Sequence, residues 1–564
     1  MNYSNQRWIA GSAFVCAVLI YIYPLALPTP LLDPDEGLHA AISQHMVESG
    51  DYLTPRFLGK PFLDKPILYF AAQAFSLRVF GMHEAAVRLP GLLFALFGAL
   101  TTALLAGRLF DRQTGWLALL VSLTSIIPAS LAQSAAHDVA LVPWTNLLLV
   151  CLWEADCKNS WRRRAAYTLG AALCVALAVL TKGLIGIAVV AAGCAIYIVV
   201  LRKFTLASTV PGVVSFAGGI LLASPWFIWM ELQVPGYLHY YFVERHLHGF
   251  ATSTQPHGQA SWYFHLVLML AGTLPWCFYL LPAVGQSWID RRRPERAADN
   301  RATVFVWCWL AGGLVFLSVA NSKLITYSLP LYPAVAILVA HAWKQFLAGD
   351  MAPAMRKGFG WIFALFCVVG LVVPLGLLIG FDHFNGVYSP PAAYVVAALG
   401  TGAMIAALAL LMRGRPTAAV ACGAQVFALL FVAVMTWPMQ PLAEQFSQRQ
   451  LAADIMQIVE LPDRIVVCGD RAASLVFYLE RDRSRTRLSE QISDIETRDG
   501  HRWEQMPPDT LLVVDASAWS NWPNADFQRK VQARRVGEFC VVTSTDNAAS
   551  IAKKPGATHA RESR

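Results

Sequence analysis

The stretch AYTLGAALCVALAVLTKGLIGIAVVAAGCAIYIVVL, residues 166–201, holds one charged side chain, Lys182, between two apolar runs. Each run is close to the ~20 residues that an α-helix needs to cross about 30 Å of hydrocarbon. Two membrane-crossing helices with Lys182 at their junction are therefore predicted. Outward from this pair the same block recurs. Thirteen spans are expected, near 8–27, 87–107, 115–133, 137–154, 166–181, 183–201, 211–231, 263–283, 302–320, 326–346, 358–380, 392–411 and 417–437.

Composition agrees with a polytopic membrane protein. Of 564 residues, 56% are hydrophobic and only 14% charged, whereas soluble domains average about a quarter charged. Gly and Pro show no period and 11 cysteines are sparse, which excludes collagen-like, disordered and disulfide-scaffold classes. Eight cysteines fall in or beside apolar spans, where they pack as small hydrophobes. Cys468 and Cys540 lie in the tail, and a disulfide between them stays open.

The short connections alternate in charge, which fixes orientation independently of hydropathy. One set holds 19 basic residues, among them Arg108, Arg162, Arg163, Arg164, Arg291, Arg292 and Arg293. The other holds seven: Arg56, Lys60, Lys65, Arg78, Lys182, Arg245 and Lys323. By the positive-inside rule the poorer set faces away from the cytoplasm, so the N-terminus is expected inside and the tail after 437 outside. The first span reads as an uncleaved anchor, its apolar run being long and without a convincing cleavage site. The formal charge of +8 is topological, since residues 438–564 hold 17 basic and 18 acidic side chains, and no nucleic-acid partner is implied.

The expected organisation is a membrane domain over 1–437 and a small soluble α/β domain over 438–564. Two long external loops, 28–86 and 232–262, interrupt the membrane domain. The first carries apolar residues at helical spacing over 37–49 and 66–80, read as helices lying on the membrane surface. In the tail, RIVVCGD (464–470), TLLVVDAS (510–517) and FCVVTS (539–544) read as strands, and AASLVFYLE (472–480) as a helix. Phosphate-cradling Gly-rich motifs are absent, so nothing suggests direct use of ATP or a dinucleotide.

The middles of the spans contain no Asp, Glu, Lys or Arg, where an ion-coupled transporter would place them. Ionisable groups collect instead at the external ends: Asp33, Asp35, Glu36, Asp64, Lys65, Asp138, Lys182 and Lys323, joined by Glu244, Arg245, His246, His248 and His257. Such a face suits a lipid phosphate, whose chain stays in hydrocarbon while its head sits at the interface. Departure of that phosphate builds negative charge that Lys, Arg or a metal must stabilise, and a carboxylate must orient or deprotonate the incoming nucleophile.

These residues sit in order-preserving pieces: DPDEGLHAAISQHMVESGDYLTPRFLGKPFLDKPILYF (33–70), HDVAL (137–141), AVLTKGLIGIAV (178–189), ERHLHGF and HGQASWYF (244–264), and NSKLITYSLPLYP (321–333). Together they resemble the bacterial branch of the protein O-mannosyltransferase superfamily, and within it the lipid A aminoarabinose transferases. The resemblance covers roughly 8–437 and implies a C-type glycosyltransferase fold in a bacterial inner membrane with a periplasmic active site. It implies an inverting enzyme that takes a sugar, 4-amino-4-deoxy-L-arabinose, from an undecaprenyl-phosphate donor to lipid A. It also implies roles. Asp35 is the leading catalytic carboxylate with Glu36 beside it, and Asp138 is the second acid. Lys65, Lys182, Lys323 and Arg245 are the donor-phosphate cations. A divalent ion (Zn, Mg or Mn) is implied near Asp64, His246 or His257, and Tyr327; no other cofactor is expected. Two departures stand out: Asp64 occupies the place of a Glu, and Gly249 that of an Arg.

Simpler readings fit single residues. Asp35 and Glu36 after Pro34 suit a turn and helix cap, Asp138 an N-cap, Lys65 and Lys182 snorkelling lysines, and Trp262 to Phe264 an aromatic belt. Two alternative functions remain at this stage. One is the same fold with another sugar and acceptor, such as protein O-mannosylation or another surface glycan; the other is a lipid-phosphate flippase.

Overall fold

The structure, a computed structural model, describes residues 3–157, 160–202, 206–248, 260–380, 390–437, 439–458, 464–468, 473–481, 510–520, 528, 531–536 and 539–544. In chain order the helices before the tail are α1 (Tyr3–Ala17), α2 (Asp35–Ser49), α3 (Ile67–Phe80), α4 (Glu84–Leu109), α5 (Arg112–Leu123), α6 (Ile126–Ala132) and α7 (His137–Cys157). They continue as α8 (Trp161–Lys182), α9 (Leu184–Val200), α10 (Leu206–Gln233), α11 (Phe264–Gly272), α12 (Leu280–Asp290), α13 (Ala297–Val319), α14 (Tyr332–Ala348), α15 (Pro353–Gly380), α16 (Pro390–Met412) and α17 (Pro416–Thr436).

Each of the thirteen apolar stretches is helical, two of them with a break. Among the described residues eight helices are long and apolar enough to cross a membrane, or up to ten if each of two bent pairs is one span. The first bent pair, α5 with α6, turns by 64° where Thr124 and Ser125 bond back to the Leu120 and Val121 carbonyls and Pro128 sits in the first turn of α6. The second turns by 104° between α11 and Trp276–Asp290, where Pro275 can donate no helical hydrogen bond.

The chain divides into two compact units: one of 1–27, 63–72 and 88–439, the other of 28–62, 73–87 and 440–564. In the first unit α7 packs along α8, α8 along α10, α9 along α13, and α5 along α14. Helix α14 is its innermost element, with every residue from Tyr332 to Trp343 buried, as expected of a helix that is apolar all round. Leu221 on α10 is instead 73% exposed, a burial pattern suited to hydrocarbon rather than water. Glycine brings α9 against α13: a Cβ on Gly193 would lie 2.6 Å from the Cα of Trp309, so only glycine allows this approach.

In the second unit, strands β1 (Arg56–Phe57) and β2 (Lys60–Pro61) form a hairpin around Leu58 and Gly59, both with positive φ. The tail adds α18 (Met439–Gln445), α19 (Arg449–Ile458), β3 (Arg464–Cys468), α20 (Ala473–Arg481), β4 (Thr510–Asp515), α21 (Ala516–Ser520), β5 (Val531–Val536) and β6 (Phe539–Ser544). The sheet order is β3-β4-β6-β5, with β3 parallel to β4 and β6 antiparallel to both its neighbours. Strand β5, VQARRV, was not expected; its central residues are exposed, so it lacks an apolar signal.

Two expectations change. Helix α2 is enclosed by protein and packs on α20; His39, Ser43 and Gln44 are buried along with Ile42 and Met46, so it does not lie on a membrane surface as an amphipathic helix. The Cys468–Cys540 disulfide is ruled out by register. Val514 pairs with Cys468 on one side and with Cys540 on the other, which places the two cysteines two strand spacings apart, about 9–10 Å. A disulfide requires Cα atoms within about 7 Å.

Candidate active site

Helices α7 and α8 have 21 and 22 residues, are separated by only three residues and pack along each other, so they form an antiparallel hairpin of matched arms. Geometry then brings the first turn of α7 beside the last turn of α8, at the end opposite Arg162, Arg163 and Arg164 in the first turn of α8. Asp138 occupies the first place and Lys182 the second, and their side chains form an ion pair that is 8% and 10% exposed. Each charge also opposes the dipole of its own helix end. The Lys182 ammonium lies 4.6 Å from the centre of the Tyr327 ring, a cation–π contact supplied by the 3₁₀ turn Ile325–Leu331.

Gly183 makes this corner. Its φ of +79° with ψ of −150° is open essentially only to glycine. A Cβ there would also meet the hydroxyl of Tyr241 and the Nε2 of His246. The π-helical segment His239–His248 is thereby seated on the Lys182–Gly183 corner. The Tyr241 hydroxyl is buried with no hydrogen-bond partner among the described residues. An unsatisfied buried hydroxyl beside a lysine corner is a polar group available to a bound head group.

The same segment carries Arg245 to Asp64, 3.2 Å apart, and Tyr240 donates to Asp64 Oδ1 at 2.6 Å. Burial, and then the bond to the Asp64 carboxylate, push the Tyr240 phenol up to about 12, so it stays a donor at neutral pH. His246 Nδ1 is 2.6 Å from the Tyr241 carbonyl, and burial holds its imidazole below the usual range, hence neutral at pH 7. Arg245 lies within electrostatic range of Tyr327 as well.

Lys65, half-buried, follows Asp64 just before α3. Lys323 is buried and donates to the Ala320 carbonyl at 2.5 Å, with electrostatic reach to the buried ring of His265. Asp35 and Glu36 belong to the second unit, in the first turn of α2. Glu36 is buried and accepts from the Leu32 amide at 2.9 Å, so its carboxylate holds the turn, whereas Asp35 is exposed. His257 and Gly249 lie outside the described residues.

The expected metal donor set does not fit as described. Asp64 is engaged by the Arg245 guanidinium and the Tyr240 hydroxyl, and Tyr327 faces the Lys182 ammonium. A divalent ion would have to displace these cations. Tyr240, Tyr241 and Gly183 escaped the sequence reading. Their only signal was the aromatic character of 232–262 and a glycine at a span junction.

Comparison with known proteins carries the description further. Residues 64–229 match the family described as dolichyl-phosphate-mannose-protein mannosyltransferases. The undecaprenyl phosphate-alpha-4-amino-4-deoxy-L-arabinose arabinosyl transferase of Aeromonas salmonicida is 32% identical over 368 residues, 65% of each chain. Its namesake in Pseudomonas fluorescens (strain Pf0-1), numbered 2, is 30% identical over 376 residues, 66% of each. The match therefore spans just under two thirds of these curated relatives. Among solved structures, ArnT from Cupriavidus metallidurans bound to undecaprenyl phosphate superposes with a TM-score of 0.74 at 20% identity, covering 95% of this chain and 97% of that one. The Archaeoglobus fulgidus oligosaccharyltransferase tethered with an acceptor peptide gives 0.51 at 11% identity, covering 94% and 72%. The chain is similar to the mannosyltransferase-like superfamily read from its motifs, and it has the fold of the ArnT transferase.

Proposed function

We propose that the chain is a multi-pass inner-membrane glycosyltransferase, its N-terminus cytoplasmic and its active site and tail periplasmic. In this reading it moves 4-amino-4-deoxy-L-arabinose from an undecaprenyl-phosphate donor to lipid A. The single observation that carries it is the charged corner at one end of the α7–α8 hairpin, in a fold shared with a transferase solved with undecaprenyl phosphate.

The charge balance suits the reaction. In this reading Lys65 and Lys323 add positive charge to the Asp138–Lys182 and Asp64–Arg245 pairs, which are themselves balanced. A sugar phosphodiester carries one negative charge, and the phosphomonoester that leaves carries nearly two. The corner therefore stabilises the departing phosphate more than the bound donor, which is what lowers a barrier. An acceptor oxygen attacks the anomeric carbon from the face opposite the phosphate. The new C–O bond forms as the sugar–phosphate C–O bond breaks, its electron pair leaves on the phosphate, and the configuration inverts. Asp35 orients the acceptor; if the acceptor is itself a phosphate it is already ionised and needs no base.

Incubating the purified protein with labelled polyprenyl-phosphate aminoarabinose and lipid A tests the reading. Free lipid phosphate together with labelled lipid A is expected. Label on a protein or another glycan would instead support the protein-mannosylation type of acceptor, which the matched family's description favours. Transbilayer movement without bond cleavage would overturn both.

A further inference from the structure

In the second unit the segment from Pro28 to Gly37 is tied along its length to the tail. The Pro28 carbonyl accepts from Arg449 at 2.7 Å, and the Gln440 amide donates to the Thr29 hydroxyl. The Leu31 N–H donates to the Tyr478 hydroxyl at 2.8 Å, and the Asp33 N–H to the Phe446 carbonyl at 2.8 Å. The Asp33 carboxylate accepts from both the backbone N–H of Ser474, at 2.7 Å, and its hydroxyl. That hydroxyl in turn accepts from the Gln448 N–H at 3.0 Å.

Ser474 is fully buried in the first turn of α20, where helical N–H groups lack partners within their own helix. Asp33 thus caps a helix 441 positions away. It does not cap α2, which it precedes: there Gly37 N–H bonds the Leu32 carbonyl, Leu38 N–H the Pro34 carbonyl, and Glu36 accepts from Leu32. Gly37 completes the contact, since a Cβ on it would lie 2.7 Å from the Cα of Ser474. Burial holds the half-buried Asp33 carboxyl up near 7, against the pull of the two Ser474 bonds.

We infer that Asp33 and Ser474 form a clasp by which the tail domain positions Asp35, two residues further on at the exposed start of α2. Asp33 is a positioning residue, and the task of the tail domain is to hold the turn that presents the reacting carboxylate. This rests on Asp35 acting as proposed above. A misplacement of about 1 Å at a reacting group costs on the order of 10²-fold in rate, so a loosened turn is read as lost turnover.

The test compares full-length wild type with Asp33→Ala and Asp33→Asn at pH 8, where the wild-type acid is ionised. Asn keeps an acceptor for the Ser474 N–H and offers its amide to the Ser474 hydroxyl. The expected result is a kcat about tenfold or more lower in Asp33→Ala with KM for the lipid donor within about twofold, and near wild-type kcat in Asp33→Asn. Amide exchange over residues 31–40 is expected to quicken in Asp33→Ala and not in Asp33→Asn. Equal kcat in all three proteins would overturn the inference. So would an Asn variant as inactive as the Ala one, which would mean the acid acts directly. Unchanged exchange in Asp33→Ala overturns the clasp even if the wild type transfers no sugar, and that last result alone would count against the proposed reaction instead.

Discussion

The α7–α8 corner and the Asp33 turn both hold carboxylates at the start of a helix, yet they are built by opposite means. Asp138 meets Lys182 across 44 positions because two helices of equal length double back. Asp33 meets Ser474 across 441 positions because the turn before α2 and a folded tail domain happen to match. The first arrangement follows from span lengths and needs no tertiary knowledge. The second is invisible until both partners are folded. Charge placed by local hairpin geometry can thus be read early, while charge placed by docking cannot.

The strongest test of this contrast is Asp35→Asn. Asp35 is exposed at the start of α2, so fold and membrane insertion should survive while transfer falls by roughly 10²–10⁴-fold. Wild-type turnover would show that the turn presents no reacting group, and the comparison would lose its functional side.

Next in size is Asp138→Ala. Breaking one side of a buried ion pair leaves a buried charge and costs about 3–5 kcal/mol, whereas replacing both by apolar groups is often neutral. Asp138→Leu combined with Lys182→Met should therefore regain most of the thermal stability in detergent and none of the transfer. Recovery of transfer in the double variant would reduce this corner to a structural pin.

Much of this was legible before folding. That the thirteen apolar stretches are helical followed from hydropathy; how many of them cross did not, since among the described residues eight, or up to ten, are long and apolar enough. Asp138 and Lys182 emerged as candidates because each sits at a span end, and Tyr327 only through the resemblance. The partners of Asp64 were not legible: Tyr240 and Arg245 reach it from a π-helical turn, whose i→i+5 pattern has no sequence period to detect. Nor was the burial of α2, since His39, Ser43 and Gln44 look like a polar face until α20 covers the helix.

A pH titration sharpens the contrast from the second region. The Asp33 carboxyl is raised from 3.8 to about 7, chiefly by burial. The folded state thus keeps a proton that the unfolded chain releases. The stability this acid contributes is full below about pH 4 and is lost as pH rises through about 7. Besides Glu36, which raises it further, the groups facing it from α20 are the Ser474 amide and hydroxyl. Relative to Asp33→Asn, the wild-type melting temperature should fall between pH 4 and pH 7. Parallel profiles for the two proteins would mean that the acid titrates as if in water.

The smallest effects separate two glycines that both have positive φ. Gly50 ends α2 in the left-handed region, φ 73° and ψ 3°, with nothing within 4 Å of a built Cβ. Asn accepts that conformation, so Gly50→Asn should cost well under about 1 kcal/mol and leave transfer unchanged. Gly183 has a similar φ but a ψ of −150° and is crowded by Tyr241 and His246. Gly183→Asn should cost about 1–3 kcal/mol from backbone strain alone, and push the 239–248 segment off the Lys182 corner. The second variant should therefore lose transfer out of proportion to its stability. Melting temperatures paired with turnover for both proteins check this. If Gly183→Asn loses stability and turnover in the same ratio as Gly50→Asn, the corner is an ordinary helix end and Lys182 owes its position to α8 alone.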